Sequence, residues 1–156
     1  MKRVFSILYI ICCCTLESVN AQAVRVSGVL KDLQMENISV IQKQDTITAA
    51  FETSVYRGSY NGIGIAIRHL IAVSENSTLQ LVILDNALPQ LCITLPAKLI
   101  EDYQSGKCDL NEVYRTMQMT TPTQTAMADL KGQQHESPNF GKVELVGYPG
   151  GMWGNN

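Results

Sequence analysis

The sequence predicts an α+β fold: a small antiparallel sheet of two hairpins with one to three helices packed on it. Two observations carry this expectation. Strand-like runs occur in two pairs, each joined by a short polar connection, and the segments after each pair repeat their apolar residues at helical rather than strand spacing. With 156 residues, 46% hydrophobic and 17% charged, the chain has the balance of one globular domain.

Lys2 and Arg3 precede an apolar run from Val4 to Leu16, and Val19-Asn20-Ala21 places short residues before a cut, as in a secretory signal peptide. Residues 1–21 are therefore expected to be removed and the mature chain to begin at Gln22. The run is shorter than the roughly 20 apolar residues that span a bilayer, so no transmembrane segment is expected in the mature chain. Cys12, Cys13 and Cys14 lie inside it, and Tyr9-Ile10-Ile11 before Cys12 is a poor context for lipid attachment. The mature chain keeps Cys92 and Cys108, which suit either a disulfide in an oxidising compartment or two buried free thiols.

Along the mature chain, residues 23–30, AVRVSGVL, suggest a first strand through Val24 and Val26, weakened by Gly28. Residues 37–58 carry the organising hairpin. Ile38 to Ile41 is one β-branched run. From Ile47 to Val55 every second residue (Ile47, Ala49, Phe51, Thr53, Val55) faces one dry side, with Gln42 to Asp45 turning the chain between them. The cluster Arg57 to Gly62 is turn-like. Asn61 is expected to cap a helix over 62–73 that buries Ile63, Ala66, Ile67, Leu70 and Ile71 and exposes Arg68 and His69.

Leu79 to Leu84 and Leu88 to Leu95 form a second hairpin around Asp85-Asn86-Ala87, and Pro89 demands an edge position or an outward-facing nitrogen. Pro96 opens a short helix over 97–103. Asp109, with Glu112 three residues on, opens another to about Gln118, with Leu110, Val113, Tyr114 and Met117 as its apolar face. The α+β domain is thus expected over 22–118. Residues 119–139, rich in Thr, Gln and Pro with only a weak Met127–Leu130 spacing, suggest a flexible linker beyond the core. Residues 140–156 hold a last strand-like run, Gly141 to Tyr148, and a Gly-rich tail. Val143, Leu145 and Gly147 alternate there with Glu144, Val146 and Tyr148, and such a strand either folds back on the sheet or is offered to another protein.

Removing the signal leaves ten basic and thirteen acidic side chains, no footprint for nucleic acid. His69 and His135 lack metal-ligand spacing to a partner. Gly58, Gly62 and Gly64 match neither phosphate-loop nor dinucleotide patterns, and Cys92 sits in an apolar strand with no histidine near it in sequence. No catalytic, cofactor-binding or metal-ligating residue is assigned. The candidate interaction surface is Tyr56, Arg57 and Tyr60, aromatic rings beside a guanidinium, together with Val143, Leu145 and Tyr148 of the last strand. Against this stands the simpler account in which Tyr56 and Tyr60 only pack the start of the helix.

Met35-Glu36-Asn37-Ile38-Ser39-Val40, then Glu52-Thr53-Ser54-Val55-Tyr56-Arg57, the apolar spacing from Gly62 to Ile71, and Leu88 to Pro96 resemble the periplasmic region of the YjbH-like outer-membrane exopolysaccharide-biosynthesis family. Phe140 to Pro149 resembles the place where such proteins enter their β-barrel. The resemblance covers residues 33–104 and 140–149, while the chain lacks the eight or so alternating strands that a barrel needs. It implies a periplasmic, non-enzymatic domain that assists exopolysaccharide export or assembly at the outer membrane. The expected partners are an outer-membrane β-barrel protein and a polysaccharide. The alternatives are a glycan-acting enzyme, for which converging carboxylates are missing from the spacing, and an adhesive surface component working through strand addition.

Overall fold

The computed structural model describes residues 21–53, 56, 59–122, 124–130 and 136–137. Among them, five strands form one sheet in the order β1-β2-β3-β4-β5, with five helices, an α+β architecture. Residues 1–20 of the signal peptide expected over 1–21, Arg57 and the run Gly141 to Tyr148 lie outside the described residues.

Helix α1 covers residues 21–32, where a strand is expected from the valines. Val26 and Leu30, four residues apart, are fully buried, with Val29 and Leu33 packed beside them, while Val24 is 69% exposed. The i, i+4 pair is a helical stripe. Burying it against the sheet outweighs the β preference of single valines, a small term that tertiary packing routinely overrides.

β1 (Glu36–Lys43) and β2 (Thr46–Glu52) form the first hairpin in antiparallel register, Val40 opposite Ala49. The chain then enters α2 (Ser59–Val73) and returns as β3 (Thr78–Asp85), which pairs with β2 in parallel, Phe51 opposite Ile83. The sheet is therefore mixed rather than antiparallel. A parallel neighbour requires a crossover of a dozen or more residues, and the fifteen-residue helix supplies it. Asn61 is inside α2 rather than at its cap. Gly62 marks where the helix meets the end of β2: a Cβ there would stand 2.8 Å from Thr53 Cβ. Ile63, Ala66, Ile67, Leu70 and Ile71 are buried as expected.

β3 and β4 (Leu88–Leu95) form the second hairpin, with a bulge near Leu84. Its turn holds Asn86 and Ala87 at φ 51° and 60°, the primed geometry that matches strand twist. Glu52 ties this turn down: its carboxylate accepts the Asn86 and Ala87 backbone N–H groups at 3.1 and 3.3 Å and the Asn37 amide at 2.7 Å. α3 (Ala97–Gln104) follows Pro96. α4 (Leu110–Thr116) starts at Asp109, whose carboxylate accepts the Glu112 N–H at 2.8 Å.

Within the linker expected over 119–139, the described residues 119–122, 124–130 and 136–137 include strand and helix. α4 stops at Thr116, and Gln118–Thr120 form β5, antiparallel to β4. α5 (Gln124–Leu130) lies on the face of the sheet opposite α1–α4, with Ala126 and Leu130 buried against Ala50, Val82, Leu84 and Cys92. Glu136 then pairs with Ile38 on the outer side of β1. The weak Met127–Leu130 spacing was the trace of this helix, and its short apolar side chains are what hid it. The core thus extends past residue 118.

Candidate functional site

Four elements enclose an open groove of about 450 Å3 on the helix-covered side of the sheet. One wall is a flank of α2, where Tyr60, Gly64 and Arg68 recur every fourth residue with Ile65 alongside. Leu91 and Ile93 of β4 and Met119 of β5 make the floor, and Tyr114 and Met117 at the end of α4 close the far side. α4 is fastened to α2 here, the Tyr114 hydroxyl donating to the Gly64 carbonyl at 3.1 Å.

The groove is apolar with one charge. Arg68 is the single charged residue that lines it; it is exposed and has no carboxylate partner among the described residues. Burial pushes the Tyr114 phenol above its ordinary pKa, with Arg68 acting in the other direction and Tyr103 adding to the rise. Tyr114 is therefore neutral across the physiological range and serves as a hydrogen-bonding, apolar wall.

The groove adjoins an incomplete sheet edge. β5 pairs with Cys92, Ile93 and Thr94 alone, and Thr121-Pro122 then carries the chain away. Leu88 to Leu91, the half of β4 that contains Pro89, has no neighbouring strand on that side among the described residues, and Leu88 is 63% exposed. Unpaired strand backbone beside an apolar cleft is the arrangement that accepts an extended peptide. The chain matches no family model, no curated protein and no solved structure.

The residues singled out from the sequence divide. Tyr60, 87% exposed, stands at the lip of the groove. Tyr56 is half-buried, packs close to Gly62 and donates its hydroxyl to the Leu33 carbonyl at 3.3 Å, which makes it a packing residue that ties α1 to α2 rather than a displayed ring. Arg57, Val143, Leu145 and Tyr148 lie outside the described residues. Arg68, Leu91, Tyr114 and Met119 were not anticipated as site residues. The one local signal was the Tyr60–Gly64–Arg68 spacing, a polar and small stripe on a helix whose other face is wholly apolar.

A second, polar cleft of about 290 Å3 lies where α1 meets the β1–β2 turn and the α2–β3 loop. Gln22 knits it together. Its amide donates to the Glu75 carbonyl at 2.7 Å, and its side-chain oxygen accepts from Ser77 at 3.0 Å and Gln42 at 3.2 Å. These bonds satisfy a nearly buried amide and fasten the start of α1, a structural duty. Cys92 and Cys108 are both free and belong to opposite sides of the sheet. Among the described residues no group of three or more His, Cys, Asp or Glu is placed to hold a metal ion, and no helix is long and apolar enough to cross a membrane.

Proposed function

We propose that this protein is an exported, non-enzymatic docking domain that assists exopolysaccharide export or assembly at the bacterial outer membrane. It acts by accepting an extended apolar segment of a partner, such as an outer-membrane β-barrel protein, along the open half of β4. The observation that carries the reading is the adjacency of the unpaired Leu88–Leu91 edge to the groove floored by Leu91, Ile93 and Met119. Backbone pairing supplies affinity in such contacts, and alternate side chains dropping into the groove supply selectivity. The exported setting and the polysaccharide come from the signal-peptide pattern and from the family resemblance over residues 33–104. Three of the described carboxylates have structural duties that accord with a non-catalytic role: Glu52 holds a turn, Asp109 caps a helix, and Asp102 pairs with Lys98 at 2.8 Å.

Met119 offers a clean test, because it is 55% exposed and central to the groove floor. A photocrosslinking amino acid at position 119 should capture the protein seated in the groove, an outer-membrane component of the export machinery or a further copy of this chain, in cells of the native host. The same probe at Lys98, exposed on α3, should not. Equal capture at the two positions, or capture at neither, overturns the groove as a docking site.

A further inference from the structure

We infer that the groove accepts residues 141–148 of a second copy of this chain. The inference rests on the groove being a docking site and names its occupant.

The first support is where the described chain stops. Glu136 and Ser137 lie along the outer side of β1: the Ile38 N–H donates to the Glu136 carbonyl at 2.8 Å, the Glu136 N–H donates back at 2.9 Å, and the Asn37 N–H donates to the Ser137 hydroxyl at 3.0 Å. The open half-edge of β4 is at the other side of the sheet. Between the track of residue 136 and a strand added beyond β4 lie five strand spacings, about 24 Å at ~4.8 Å each. From Ser137 to Gly141 the fully extended chain covers at most about 14 Å. The copy that carries the segment therefore cannot seat Gly141 in its own groove and could bring at most the last few residues there, whereas a neighbouring copy can seat the whole of residues 141–148.

The second support is chemical complementarity. Lys142, Glu144, Val146 and Tyr148 fall on one side of an extended segment, and Val143 and Leu145 on the other. That first side starts with a lysine and then carries one carboxylate followed by apolar residues, and the carboxylate suits an apolar groove whose one charge is a guanidinium with no carboxylate partner among the described residues. Glu144 is assigned to Arg68, with Val146 and Tyr148 continuing along the floor. A guanidinium–carboxylate pair partly shielded by apolar surroundings fixes register more than it adds affinity. Since each copy gives a strand from one edge of its sheet and receives one at the other, the contact joins unlike surfaces. It builds either a reciprocal pair or a head-to-tail series.

The test uses the full exported chain and follows its mass by sedimentation over a concentration series. The wild type should self-associate. Met119→Glu, which puts a charge on the groove floor, and Leu145→Pro, which removes a ladder donor from the incoming strand, should each weaken association by about tenfold or more. Arg68→Glu and Glu144→Arg should each weaken it similarly, and the double reversal should restore it. A wild type that stays monomeric, association untouched by Met119→Glu and Leu145→Pro, or a double reversal that restores nothing overturns the inference. A monomeric chain whose residue 119 still captures an outer-membrane protein removes this occupant and leaves the docking role standing. Capture at neither probe position removes both.

Discussion

On the side of the sheet covered by α1–α4, Ile47, Phe51, Leu79, Leu81, Ile93 and Leu95 meet large side chains from all four helices and are essentially inaccessible to solvent. On the other side, Ala50, Val82, Leu84 and Cys92 meet Ala126 and Leu130 of a single seven-residue helix. Both faces of β2 are buried, yet one is a deep core and the other a thin cover. The contrast predicts that a charge is tolerated least on the thick side and that the thin cover opens first, since stability in a small domain is distributed according to how much apolar surface each element shares.

Phe51→Asp should have the largest effect. Phe51 is 0% exposed at the centre of the thick side, and the substitution combines a lost aromatic with a buried, unpaired carboxylate. A loss above about 4 kcal/mol, enough to unfold a typical small domain, is expected in chemical denaturation. Arg68→Ala, at an exposed position, should change stability little. Equal loss in the two variants would show that the phase of β2 is wrong.

Leu130→Ala probes the thin side. Leu130 is 5% exposed and lies at one end of the only described helix on that face. Deleting its buried methyl groups should cost about 2–3 kcal/mol if α5 is held as firmly as an ordinary core element. A cost below about 0.5 kcal/mol, the range of surface substitutions, would make α5 dispensable and return residues 119–139 to the status of a linker.

How far the sequence disclosed these two faces follows from how each is made. β2, β3 and β4 announce themselves by runs of leucine and isoleucine with Phe51 among them, and α2 by five aliphatic positions on one stripe, because the thick core needs bulk at regular intervals. The thin face sets Val82, Leu84 and Leu130 among Ala50, Ala126 and Cys92, side chains too small to complete a period, so Thr48 and Ala50 pass for solvent-facing residues and α5 for a linker. α1 was masked differently, by valines whose strand preference obscured the Val26–Leu30 stripe. The parallel pairing of β2 with β3 depends on where α2 delivers the chain, which no local pattern states. The groove was legible only through Tyr60, because its other parts come from segments near residues 68, 91, 114 and 119 that meet through tertiary packing alone.

The two cysteines give the mildest probe of the contrast, since each reports on one side without altering the core. Cys92 is 1% exposed beneath α5, and Cys108 is half-buried against the thick core. Burial raises both thiol pKa values, opposed at Cys92 by hydrogen bonds from Gln80, Thr120 and Thr94, and reinforced at Cys108 by the nearby carboxylates of Asp102, Glu112 and Asp109. The thiolate is the reactive form, so a raised pKa makes alkylation of both slow at neutral pH and faster as pH rises toward and past the ordinary thiol value. Accessibility then separates them: in the native chain Cys108 should react first, and Cys92 only when α5 lifts. In the Leu130→Ala variant the Cys92 rate should rise about tenfold or more while the Cys108 rate stays unchanged, because an opening free energy lowered by 1.4 kcal/mol multiplies the open population by ten. Peptide mass analysis after timed labelling assigns each site. If Cys92 and Cys108 accelerate together, Leu130→Ala loosens the whole domain, and the two faces form one cooperative unit rather than a deep core with a separable cover.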